Sequence, residues 1–155
     1  MLRLVLLLIF ISVLPPQAHA WPAQVVSVVD GDTLDVQSSI TEERMRVRLY
    51  GIDAPERRQE YGPEARNFVN EVVFHAQVEI ENINMYRYGR VVAIVTLSDG
   101  ETLQAALLRA GLAWVWPRYC PDCVDWEALQ KDARTEKRGL WGGIAPIPPW
   151  EWRRR

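Results

Sequence analysis

The stretch Arg44-Met45-Arg46-Val47-Arg48-Leu49-Tyr50-Gly51-Ile52-Asp53-Ala54-Pro55-Glu56 alternates at period two and then breaks at a glycine. Successive side chains of a strand leave opposite faces, so Met45, Val47 and Leu49 point one way and Arg44, Arg46, Arg48 and Tyr50 the other. This is a strand with one buried face, and it delivers an acidic loop at its end.

Upstream, Ala23 to Val36 reads as two short strands around Asp30-Gly31-Asp32, with Val26 and Val28, then Leu34 and Val36, as the apolar alternates. Downstream, Gly62-Pro63-Glu64 opens a helix through about His75, proline being tolerated in a first turn, with Ala65, Phe68, Val69, Val72 and Val73 as its apolar stripe. Val78 to Ile83 and Val91 to Leu97 read as strands. Ser98-Asp99-Gly100 marks a turn, and Thr102 to Ala110 a short helix stopped by Gly111. Leu112 to Trp116 is a last short strand, and Trp126 to Lys137 a charged amphipathic helix ending at Gly139. Five strands around a helix, with more helix added late, predict an α+β fold: a five-stranded OB-type β-barrel with about three helices.

The first twenty residues are set apart from this domain. Met1-Leu2-Arg3 carries one positive charge, Leu4 to Leu14 is apolar apart from Ser12, and Ala18-His19-Ala20 has the small-x-small pattern of a signal-peptidase site. The apolar run is about eleven residues against the ~20 a membrane-spanning helix needs, and Pro15-Pro16 interrupts it. The expectation is a cleavable signal over 1–20, a domain over 21–143, and a secreted or periplasmic protein without stable membrane association. The segment 144–155, with its prolines and three terminal arginines, is expected to be a flexible tail.

Composition excludes disorder, since 48% of the residues are hydrophobic and 25% charged. It does not announce a polyanion binder either. Losing Arg3 takes the formal charge from −2 to about −3, so a nucleic-acid partner has to be argued from local groups. Only Lys131 and Lys137 are lysines; the other basic side chains are arginines, whose planar fork suits bidentate phosphate contacts. In an exported chain the pair Cys120-Pro121-Asp122-Cys123 reads first as a small disulfide. A zinc half-site would need two further ligands, and a thiol-disulfide redox centre lacks its βαβ context.

Asp30 and Asp32 flank a glycine at one turn, and Asp53 and Glu56 share the loop after the arginine-bearing strand. Either cluster alone is ordinary turn chemistry, because aspartate caps local amides. Converging, carboxylates from two loops and a backbone carbonyl would suit Ca²⁺, which takes oxygen ligands at ~2.3–2.6 Å. Cleaving a phosphodiester also needs cations for the charge that grows on phosphate oxygens. Arg48, upstream of the acidic loop, and Arg90, at the end of a turn leading into a strand, are candidates; either is equally readable as an ordinary solvated arginine, and period-two alternation does not separate Arg48 from Arg44 and Arg46.

Four stretches in order, Asp30-Gly31-Asp32-Thr33, Arg48 to Glu56, Tyr61-Gly62-Pro63-Glu64-Ala65 and Tyr88-Gly89-Arg90, resemble the signatures of the staphylococcal nuclease family. The resemblance extends over roughly Ala23 to Gly143. It implies that Asp32, Asp53 and the Ala54 carbonyl hold calcium, that Glu56 activates the attacking water, and that Arg48 and Arg90 neutralise the phosphate. It also implies substrate contacts by Arg87, Tyr88 and Tyr119, hydrolysis of DNA and RNA with departure of the 5′-oxygen, and 3′-phosphate products. A monomer that prefers single strands is expected. Departures from the family pattern fall at the short loop Arg57-Arg58-Gln59-Glu60, at Arg87 in place of a lysine, and at Pro117 in place of one nucleotide-contacting tyrosine. The competing reading is a non-catalytic extracytoplasmic OB module that grips single strands through Trp114, Trp116, Tyr88 and arginines.

Overall fold

The computed structural model describes residues 20–85 and 90–155. The leader residues 1–19 and the predicted substrate contacts Arg87 and Tyr88 lie outside that range. Five strands close a barrel: β1 (Ala20–Asp30), β2 (Thr33–Ser38), β3 (Arg44–Leu49), β5 (Gln77–Met85) and β6 (Arg90–Thr96), in the spatial order β1-β2-β3-β6-β5. All pairings are antiparallel except β3 with β6, which run parallel with Arg46 opposite Arg90 and Arg48 opposite Val92. The expected α+β, OB-type barrel is therefore the fold.

The alternation of β3 holds: Val47 and Leu49 are buried while Arg44 and Arg46 are exposed. In β1 it does not. A register shift between Val25 and Ser27 puts two residues where strict alternation allows one, so Ala23, Val25 and Val28 face the core and Val26 turns outward. Leu34, Val36, Val47, Ile80, Ala93 and Val95 fill the barrel, each at most 1% exposed. Burying each of these valine, leucine or isoleucine side chains contributes roughly 1.5–3 kcal/mol, so the barrel interior is a substantial source of stability.

Two helices cover the barrel: α1 (Gly62–Val73), which packs on β1, and α2 (Leu103–Ala110), which packs on β6 and on α3 (Val124–Thr135). Thr102 Oγ1 caps α2 by accepting from the Ala105 amide at 3.2 Å, and Gly111 ends it at φ +70°. Within α2, Gln104 is fully buried, donating to the Ala93 carbonyl and accepting from the Val95 amide, so this polar side chain extends the edge of β6.

A second, two-stranded sheet lies outside the barrel. β4 (Ile52–Asp53) pairs antiparallel with β7 (Trp114–Val115), Ile52 opposite Val115 and Asp53 opposite Trp114. The Trp116 amide donates to the Gly51 carbonyl at 2.8 Å, which fixes the aromatic stretch after β7 beside the acidic loop. The segment 144–155, expected as a tail, folds back against the loop after β4 and the aromatic stretch after β7. Pro149–Trp152 forms a helical turn, α4, with proline at an allowed first position, and Pro149 is buried.

Candidate active site

The turn between β1 and β2 meets the loop after β3 because Gly31 has no side chain. A Cβ there would stand 2.8 Å from the Cβ atoms of both Ala54 and Ala65, so only glycine lets the backbone approach this closely. The two aspartates of the turn then divide their work. Asp30 Oδ1 accepts from the Asp32 amide at 3.1 Å and shapes the turn. Asp32 faces inward at 6% exposure, its Oδ2 accepting from the Ala54 amide at 2.7 Å and its Oδ1 from the Thr33 hydroxyl at 3.2 Å. The Leu49 amide donates to the Asp32 carbonyl, joining the turn to the end of β3.

Arg48 stands at that end and spans both carboxylates. One guanidinium nitrogen lies 2.6 Å from Asp32 Oδ2 and the other 2.8 Å from Asp53 Oδ1, with Asp53 only 1% exposed. Its strand neighbours are occupied elsewhere or lie open to solvent. Arg46 makes a forked pair with Asp35 at 2.8 and 3.1 Å on the outer barrel face, and Arg44 is exposed. Sequence alternation groups the three arginines; the structure separates them.

Burial decides the charge state of the aspartates. It pushes the Asp32 carboxyl up to about 7 despite the opposing field of Arg48, with Asp30 and Asp53 adding repulsion. Asp53 is raised for the same reason, against the hydrogen bond from Arg153 and the charge of Arg48. The protein's own cations therefore only partly offset these two carboxylates. That condition, with an oxygen-only donor set, fits a hard divalent cation. Among the described residues no three His, Cys, Asp or Glu side chains gather as a ready cage, so such an ion would complete its shell with backbone carbonyl and water.

Asp32, Arg48, Asp53, Ala54, Glu56, Arg90 and Tyr119 all line one cavity of about 850 Å³, so the structure brings together the predicted catalytic, cation-holding and substrate-contacting residues that it describes. Glu56 is held from its backbone, whose amide donates to Gln59 Oε1 at 3.1 Å and whose carbonyl accepts from the Gln59 amide at 2.8 Å. The loop back to α1 closes tightly, since a Cβ on Gly62 would stand 2.0 Å from the Glu56 carbonyl oxygen. The short loop after Glu56 is thus a compact turn locked by Gln59. Tyr119 sits on a turn whose amides return to the Trp116 carbonyl, and its ring meets Trp116 edge-on at 4.5 Å. The same turn carries the Cys120–Cys123 disulfide, with Cα atoms 5.4 Å apart and Cys120 packed on Gly51.

Three contributors escape the sequence reading. Arg153, from the segment expected as a tail, donates to Asp53 Oδ2 at 2.7 Å and to Glu56 Oε1 at 2.6 Å. Those carboxylates, Asp53 first, hold its guanidinium above the usual arginine range. Trp150 lies nearly parallel to Trp116, with centroids 5.8 Å apart and an interplanar angle of 12°. Gln59, 5% exposed, donates to the Ile147 carbonyl and so fastens the C-terminal segment to the loop after Glu56. One local signal pointed this way: Pro149 followed by Trp150-Glu151-Trp152 is a helix start with two large apolar side chains to bury.

Comparison with known proteins gives the same picture. The sequence model of the staphylococcal nuclease homologue family matches residues 46–143. The chain is 39% identical over 143 residues to an uncharacterized endonuclease of Escherichia coli, covering 88% of this chain and 92% of that protein. It is 32% identical over 162 residues to a micrococcal nuclease of Shigella flexneri, covering 99% and 92%. With a probable staphylococcal-like nuclease of Oryza sativa subsp. japonica it shares 37% identity over 113 residues, covering 72% of this chain and 33% of the plant protein. On this barrel, this site and these matches, the chain belongs to the staphylococcal nuclease homologue family.

Proposed function

We propose that this protein is a Ca²⁺-dependent nuclease that hydrolyses phosphodiesters of DNA and RNA, preferring single strands, by in-line attack of water with departure of the 5′-oxygen. One observation carries the reading: Arg48 bridges two buried aspartates from separate loops, at the wall of a cavity that Glu56 and Arg90 also line. Asp32, Asp53 and the Ala54 carbonyl would hold the cation. When bound, it supplies Lewis-acid polarisation of the phosphate and a fixed place for substrate.

The chain's own groups account for the remainder. Glu56 takes the proton from the attacking water, a role that needs a carboxylate within hydrogen-bond reach of it. Arg48 and Arg90 place their guanidinium groups against the non-bridging oxygens, where negative charge grows during attack. On the aromatic wall, the exposed ring of Tyr119, edge-on to Trp116, gives the bases of a single strand a stacking surface. That wall would also serve a non-catalytic binder, so cleavage itself separates the two readings.

Purified protein with a short single-stranded DNA is expected to cut in roughly millimolar Ca²⁺, the regime of extracellular sites, and to stop in EGTA, leaving 3′-phosphate ends. DNA binding without cleavage would favour the binder, and rescue by Zn²⁺ alone would remove Asp32 and Asp53 from the role given them. We further propose export, supported by the leader pattern of residues 1–20. N-terminal sequencing of protein from periplasm or medium should then begin at Trp21; a retained Met1 would count against it.

A further inference from the structure

The C-terminal segment lies beyond residues 46–143, where the family's sequence model matches, yet it reaches the centre of the site. Its attachment is specific. Pro149 is buried, Gln59 bonds the Ile147 carbonyl, and Trp150 stacks on Trp116. From the end of α4 the Arg153 side chain passes 5.3 Å over the Trp116 ring to Asp53 and Glu56.

Arg153 thus pairs with one carboxylate assigned to the cation and with the one assigned to the general base. A cation entering at Asp53 brings like charge against the guanidinium and takes over its partner. Arg153 is 39% exposed, and its guanidinium lies over the Trp116 face, so a cation that displaces it from Asp53 leaves it open to the cavity with one aromatic contact to guide it. Three features limit what it meets next. It lines the same cavity as Arg48 and Arg90, its fork matches a phosphate as well as a carboxylate, and the exposed ring of Tyr119 lines that cavity as a stacking surface.

We propose that Arg153 is a substrate-binding residue, which exchanges Asp53 and Glu56 for a non-bridging oxygen of a phosphate adjoining the scissile one when single-stranded nucleic acid and the cation enter the site. The assignment rests on the nuclease reading above. It adds an active-site arginine to Arg48 and Arg90, delivered by a segment outside the matched family region, with Trp150 and Gln59 as the anchors that aim it.

The test uses the mature protein and its Arg153→Ala, Arg153→Lys and Arg154→Ala variants, with folding checked by thermal melting. Steady-state cleavage of a short single-stranded DNA is measured at saturating Ca²⁺ over a salt series, and Ca²⁺ binding without DNA by calorimetry. Arg153→Ala should raise KM about tenfold with kcat within about threefold, the scale of one lost charge-assisted contact made equally in ground and transition states. Its plot of log kcat/KM against log salt should flatten by about 0.7, the amount for one phosphate contact to a single strand. Its Ca²⁺ affinity should rise about threefold or more, because a competing cation is gone. Arg153→Lys should regain the salt slope but only part of the KM, and Arg154→Ala should stay within about twofold throughout.

Unchanged KM and salt slope in Arg153→Ala would overturn the proposal even if Ca²⁺ bound more tightly, since Arg153 would then only neutralise Asp53 and Glu56. An equal effect of Arg154→Ala would overturn it too, as diffuse charge. If the wild-type protein fails to cut DNA, the nuclease reading is what fails. Fluorescence anisotropy of the same DNA, labelled and uncut, still decides whether Arg153→Ala binds it more weakly than Arg154→Ala.

Discussion

Replacing Arg48 by lysine is expected to lower kcat on single-stranded DNA by about 10²-fold or more, whereas Arg44→Lys and Arg46→Lys should stay within about threefold. Charge is retained in all three, so the difference tests geometry. Arg48 uses its two terminal nitrogens on two different carboxylates, 2.6 Å from Asp32 and 2.8 Å from Asp53. An ammonium is a point charge that reaches one of them. The same planar fork suits two phosphate oxygens at once, which is where charge develops in the transition state. Arg46 is committed to Asp35 on the outer face, and Arg44 is exposed, so their lysine variants change encounter and salt sensitivity alone. Arg90→Lys should resemble Arg48→Lys, since Arg90 lines the same cavity from the start of β6. Steady-state kinetics on all four variants, with folding checked by circular dichroism, makes the comparison. Equal behaviour of Arg48→Lys and Arg44→Lys would refute the site at its centre.

Glu56→Gln should lower kcat by about 10²- to 10⁴-fold while DNA affinity and melting temperature stay nearly constant. The prediction is sharp because the substitution is almost silent structurally. Gln59 holds Glu56 through its backbone amide and carbonyl, neither of which the change touches. The side chain is 40% exposed, and an amide oxygen still accepts from Arg153 where Glu56 Oε1 does now. What disappears is the ability to accept a proton. If kcat falls by only a fewfold, another group removes that proton, and Glu56 is a partner of Arg153 and no more.

The barrel was legible because its causes are local. Alternation in β3, the turn at Asp30-Gly31-Asp32, the cap and stop of α2 and the proline-led start of α1 each follow from residues close in sequence. The exception in β1 has a physical reason: the register against β2 shifts twice, between Val25 and Ser27 and between Val28 and Asp30, and nothing in the run Val25-Val26-Ser27-Val28-Val29 says where the count slips. The acidic and basic residues of the site were legible as a set through four ordered motifs resembling a family. Periodicity alone left Arg44, Arg46 and Arg48 equivalent.

By itself, then, the sequence determined the barrel strands and the helices α1 to α3, most of the inward apolar side chains, and the set of carboxylates and arginines from which the proposed site is drawn. Only the tertiary structure decided which arginine meets which carboxylate, because that depends on Gly31 letting two loops touch and on β4 pairing with β7 across about sixty residues of chain. It alone brought the last residues into the site. Arg153 lies 100 positions from Asp53, and no periodicity or motif encodes a contact made by the return of a buried proline, a stacked tryptophan and one glutamine side chain. Contacts of that kind are set by packing, which becomes defined only when the whole barrel is closed.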